Sequence, residues 1–132
     1  MKLSDTNEIH RVKEQIEDVY AKICKSFAEL NLNSVLGYFS DQYDMVKISN
    51  GKLLRGKKEL KKYWHKRLDD VYSLRISIEN VEVHIIDENH VWTTADETII
   101  LDENSQKAIV SNIFILTDAG WKILLDHTTY VQ

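Results

Sequence analysis

The chain has 132 residues, 43% of them hydrophobic and 29% charged, with no proline and a single cysteine. That is one domain's worth of core, too rich in Ile, Val, Leu and aromatic residues for disorder, and incapable of an intrachain disulfide. The net charge of −4 conceals an uneven distribution: Lys52 to Arg67 holds 8 basic residues against 1 acidic, leaving 9 basic and 20 acidic elsewhere.

In chain order, Ile9, Val12, Ile16, Val19, Tyr20, Ile23, Phe27 and Leu30 recur every three or four residues, predicting a first helix over Thr6–Leu30. Asp5 and Glu8 resemble a capping box at its start. A short second helix follows Asn31 or Asn33, with Leu32, Val35, Leu36 and Phe39 apolar. Tyr43–Ser49 reads as a strand, Asn50-Gly51 as a tight turn, and Lys57–Asp70 as a third helix with Leu60, Trp64 and Leu68 in one stripe. Four long strands are predicted after it, over Ser73–Ile86, His90–Leu101, Lys107–Thr117 and Trp121–Val131, separated by turn-forming segments. In the first of these, Leu74, Ile76 and Ile78 have the opposite parity to Val81, Val83 and Ile85, the mark of a β-bulge. The expected architecture is an α+β cone: three N-terminal helices on a strongly bent antiparallel sheet that encloses a pocket, all within one domain of residues 1–132.

Two features bear on cellular context. Asp5 and Glu8 come too early for a signal peptide, and no apolar run is long enough to span a membrane. With one cysteine, a cytoplasmic location is the expectation.

Several segments resemble the nuclear-transport-factor-2-like superfamily, and within it the SnoaL-like group. NGKLLRGKKEL is similar to that group's glycine-bracketed link between first strand and third helix, HVWTTADE to its middle strand, and SNIFILTDAGWKILLDHTT to its last hairpin. The resemblance implies a cystatin-like cone, a homodimer through the outer sheet face and a hydrophobic small molecule in the cone. The sequence departs from the related ketosteroid isomerases: Asp44 stands only at the start of the first strand, and Ile23 rather than Tyr20 takes the position of their helix tyrosine.

Candidate site residues come from strand parity. Trp121, Ile123, Leu125 and His127 share a face, which points His127 into the cone as a general acid or base, or as a structural core histidine. Of Asp96 and Glu97 only one can face inward, where a carboxylate would have a raised pKa and act as a base; Asp96 is taken with His127 as the catalytic pair and Glu97 as a pocket residue. Both can equally lie on solvated or dimer-facing surface. Asn112 either holds a ligand carbonyl or bonds a neighbouring strand. Tyr20 either donates from the pocket or packs with its hydroxyl at the rim. Trp64 either lids the mouth or packs on the first helix. Cys24 reads as a small buried hydrophobe.

No metal-ligand spacing links His84, His90 and His127, and neither metal nor cofactor is expected. The basic segment reads as a solvated helix face or a docking surface for an acidic partner. Nucleic acid is disfavoured by the acidic remainder and the lack of interleaved aromatics. The functional expectation is a small-molecule pocket protein, with proton transfer (isomerisation, dehydration or cyclisation) as its chemistry, or else a non-catalytic homodimeric assembly or ligand-binding module.

Overall fold

The computed structural model describes residues 6–42 and 44–131. The element order is α1 (Thr6–Ala28), α2 (Leu32–Leu36), β1 (Val46–Ser49), β2 (Lys52–Arg55), α3 (Gly56–Arg67), β3 (Leu74–Asp87), β4 (His90–Leu101), β5 (Asn104–Thr117) and β6 (Gly120–Val131). The six strands form one curved sheet in the order β2-β1-β6-β5-β4-β3.

Three expectations need correction. The sheet is mixed, because β1 runs parallel to its neighbour β6. The Asn50-Gly51 turn leads into a strand, β2, where the sequence predicts a bare connection to the third helix. Both turn residues have positive φ (47° and 85°), the geometry of a two-residue hairpin that asparagine and glycine tolerate. Finally, among the described residues α1 and α2 precede the sheet, and α3 follows the β1–β2 hairpin. Asp5 of the expected capping box and Tyr43 of the expected first strand lie outside the described residues.

Local chemistry explains the helix limits. Asn31 caps α2, its side chain accepting from the Ser34 amide at 3.1 Å. Glu59 reaches back to the Arg55 amide at 2.9 Å and satisfies a donor that the start of α3 would leave free. α1 buries Val12, Ile16, Tyr20, Ile23 and Phe27, the stripe its spacing predicted, and packs chiefly on β3. Ile16, Leu60, Ile99 and Phe114 are wholly buried. Each such side chain stabilises the fold by about 1.5–3 kcal/mol.

Of three register shifts in the sheet, one lies at the β3–β4 hairpin between Ile85 and Asp87, and the other two set the inner face. In β3, Glu79 opposes Asp96 and Glu82 opposes Thr94, so β3 carries one extra residue there and Asn80 takes a left-handed φ of 54°. This is the bulge that the apolar parity foretold. In β6, Leu125 opposes Ile113 while Ile123 opposes Phe114, leaving Leu124 as an extra residue. No parity slip in the sequence marks it, and it decides which side chains of β6 face inward.

Candidate active site

Ahead of Leu124, Trp121 and Ile123 are buried; beyond it the buried side chains are Asp126 and Thr128. The inner-face parity therefore changes by one. His127 is exposed, on the outer face opposite Ser111 and beside Ile48. The expectation that it closes the cone floor is overturned, because one inserted residue in a strand turns every later side chain over.

Asp126 enters a row that crosses four adjacent strands. Thr93 of β4 opposes Asn112 of β5, Asn112 opposes Asp126 of β6, and Asp126 is level with Lys47 of β1. All four are buried. Tyr20 descends onto this row from α1, its hydroxyl 2.5 Å from Asn112 Oδ1 and 2.7 Å from Thr93 Oγ1. Asn112 Nδ2 donates to Asp126 Oδ2 and to the Leu125 carbonyl, both at 3.2 Å. Asp126 Oδ1 accepts from Lys47 Nζ at 3.0 Å and from Thr128 Oγ1 at 2.7 Å.

The direction of these bonds follows from the inventory of donors. Tyr20 has one proton and gives it to Asn112, so Thr93 is the donor to the phenol. The chain runs from Thr93 through Tyr20 and Asn112 and terminates on the Asp126 carboxylate, which Lys47 neutralises. Tyr20 is thus a fully engaged buried phenol, not a free donor and not a hydroxyl at the rim. Burial holds its pKa well above the ordinary range, with the Thr93 bond opposing. Asn112 does bond its neighbouring strand, one of its two expected roles.

Above the row is a cavity lined by Tyr20, Ile23, Cys24, Phe27, Ile76, Ile78, Glu97 and Tyr130 among others, with Lys47, Asn112 and Asp126 at its polar end. About 40 Å³ of it is open to water, room for roughly three molecules. Trp64 lines it and is buried, its ring 4.8 Å from that of Phe27, so the residue both packs on α1 and walls the cavity. Burial pushes the Cys24 thiol up to about 11, consistent with an unreactive thiol.

The ambiguity between the two middle-strand carboxylates is resolved geometrically. Asp96 is exposed on the outer face and accepts from Asn80 Nδ2 at 2.7 Å, so its expected place in the cone is also overturned. Glu97 lines the cavity, level with Ile78 and Ala108, and makes no hydrogen bond to any described residue. Burial pushes its carboxyl up to about 7; the Asp126 carboxylate acts in the same direction, while Lys47 and Arg67 oppose. Among the described residues, Glu97 is the one carboxyl group in the cavity not already bound within the row.

Lys47 and Asp126 were not singled out in the sequence. Lys47 sits between Val46 and Ile48 in β1 and points inward, its Nζ 5.7 Å from the Trp64 ring centroid and 5.8 Å from that of Tyr63. The Ile123-Leu124-Leu125 run, apolar in both parities, was the available sign that β6 could change phase. Among the described residues no three His, Cys, Asp or Glu side chains are grouped to hold a metal, and no helix is long and apolar enough to cross a membrane.

Comparison with known proteins bears on the same architecture. The SnoaL-like domain family matches residues 16–131. Among solved structures, a candidate dehydratase of the NTF2-like family from Streptomyces avermitilis superposes with a TM-score of 0.79 at 16% identity, covering 93% of this chain and 98% of that one. A cystatin-like protein of unknown function from Nostoc punctiforme gives 0.77 at 17% identity, covering 90% of each chain. A candidate calcium/calmodulin-dependent protein kinase type II association domain from Thiobacillus denitrificans gives 0.73 at 19% identity, covering 88% and 94%. No functionally curated protein matches significantly. At such identities the structural likeness establishes the fold, and the match over residues 16–131 establishes the lineage: the chain belongs to the SnoaL-like domain family, with a cystatin-like, NTF2-like fold.

Proposed function

We propose that the cavity binds a small, largely apolar molecule and that Glu97 serves there as the general acid or base of a proton-transfer reaction. One observation carries this reading: an inward carboxyl group without a hydrogen-bond partner among the described residues, set in a mostly apolar wall. A carboxyl so placed exchanges its proton near neutral pH, where acid and base forms are both available. Isomerisation, dehydration and cyclisation each need one proton removed and another delivered, which a single such group supports. The Tyr20–Asn112–Asp126–Lys47 row is the rigid polar floor that holds the cavity's shape and field. The candidate dehydratase among the structural relatives is consistent with this class of chemistry.

The test is a carboxyl-carbon NMR titration of the whole protein, with Glu97 assigned from the Glu97→Gln variant. A midpoint near 7 is expected. A midpoint in the range of an exposed glutamate, about 4 to 5, would remove Glu97 as an acid–base group at neutral pH.

A second reading, assembly through the sheet, rests on a separate observation. Trp92, Ile113, Leu125 and Val46 form a cross-strand row on the outer face, and Trp92 stacks on His84 at 4.0 Å. Ile109 and Val131 are 54% and 53% exposed on the same sheet. A homodimer joined there would cover this apolar surface, and the association-domain relative is compatible with such a role. Sedimentation equilibrium checks it: a monomer at micromolar concentration would dismiss it.

A further inference from the structure

Two buried donors, one in the cavity wall and one beside it, have no acceptor among the described residues. They are Trp64 Nε1 and Arg67 Nε, three residues apart on α3 and so on one face of the helix. The guanidinium lies 5.9 Å from the Trp64 ring centroid and 5.0 Å from that of Tyr130, and both rings wall the cavity. Trp64 is only 6% exposed. Buried polar groups are normally paired, so two adjacent orphans of the same kind call for a specific account.

Charge balance sharpens that account. Lys47 is neutralised by Asp126 at 3.0 Å. Arg67 has no such partner: its polar contacts are the Tyr63 hydroxyl at 3.4 Å and Gln106 Oε1 at 3.2 Å, both neutral, and the carboxyl group in its field, Glu97, makes no ion pair with it. The missing partner must accept two N–H bonds and carry negative charge. A carboxylate does both, and arginine matches it geometrically.

We infer that Trp64 and Arg67 form the head-group subsite of the cavity, and that its ligand is a small apolar molecule bearing a carboxylate, held by the Trp64 indole and Arg67 guanidinium N–H groups. The apolar body lies against Phe27, Ile76 and Ile78. The inference rests on the pocket reading above but names a ligand class that reading does not require. The cavity's limited open volume means that α3 side chains must shift to admit the body.

The experiment uses the full chain, ¹⁵N-labelled, titrated with hexanoate and, separately, hexan-1-ol. Trp64, Trp92 and Trp121 are the three tryptophans, so each indole N–H gives its own signal, and Trp64→Phe identifies the one from Trp64. Hexanoate is expected to move the Trp64 indole signal downfield and to bind about tenfold tighter than the alcohol, the discrimination that one charge-assisted pair provides. Arg67→Gln should abolish that preference and leave hexan-1-ol affinity unchanged. If Arg67→Gln does not fold, Arg67→Lys should keep the preference only in part. Equal binding of acid and alcohol, or an acid preference that survives loss of Arg67, would overturn the subsite while leaving the pocket reading intact. Binding of neither probe would overturn both.

Discussion

Replacing Glu97 by glutamine removes the charge and keeps the shape, so its effect on stability isolates the cost of ionising a carboxyl in this cavity. In the folded protein the group holds its proton up to about pH 7, whereas an unstructured chain releases it near 4.5. Between those values the folded state binds more protons than the unfolded one. The contribution of Glu97 is therefore present at low pH and is lost as pH rises toward 7. At 1.36 kcal/mol per pH unit the loss is about 3 kcal/mol. For a domain of this size that corresponds to a fall in Tm on the order of 10 °C. Urea unfolding of both proteins across this range is the assay. The two should agree within about 0.5 kcal/mol below pH 4.5, and the variant should become progressively the more stable as pH rises from 4.5, the difference levelling off above about pH 7. Parallel profiles for the two proteins would refute the argument, since they would mean that the carboxyl is solvated in the folded state.

Three other outcomes follow from the same geometry. Asp126→Ala leaves the Lys47 ammonium, whose side chain is 6% exposed, without a counter-charge; unfolding free energy should fall by about 3–5 kcal/mol, and the Lys47→Met/Asp126→Leu double variant should recover most of it. Simple additivity of the single substitutions would count against the coupling. Tyr20→Phe takes the donor from Asn112 and the acceptor from Thr93, at an expected cost of about 1–3 kcal/mol by denaturant titration; a neutral result would mean that water replaces the phenol. His127→Ala, on the exposed outer face, should change stability by less than about 0.5 kcal/mol and leave affinity for any cavity ligand untouched, and a large loss of that affinity would contradict the parity assigned to β6.

Legibility in the sequence tracked how each signal arises. α1 was plain because its buried residues recur with helical spacing over six turns. The β3 bulge was plain because Ile78 and Val81 are apolar on opposite parities with polar residues around them. In β6 the same device is hidden: Ile123, Leu124 and Leu125 satisfy both phases, so the strand gives no sign of where its face changes. His127 and Asp126 were exchanged on that account. Lys47 was obscured because a buried lysine makes sense only beside its carboxylate, and that carboxylate lies 79 positions away on a strand that pairs with β1 in parallel. β2 was too short to show a period. Glu97 was seen as one of two, and its selection over Asp96 needed the register of three strands.

The extra residue at Leu124 has an evolutionary reading as well. Moving that bulge beyond His127 would bring a histidine to the cavity in place of an aspartate without substituting either. Pocket chemistry in a strand of this kind is stored in a phase as much as in letters. A column-by-column comparison of β6 between relatives will therefore equate residues that face opposite ways unless the bulge is placed first.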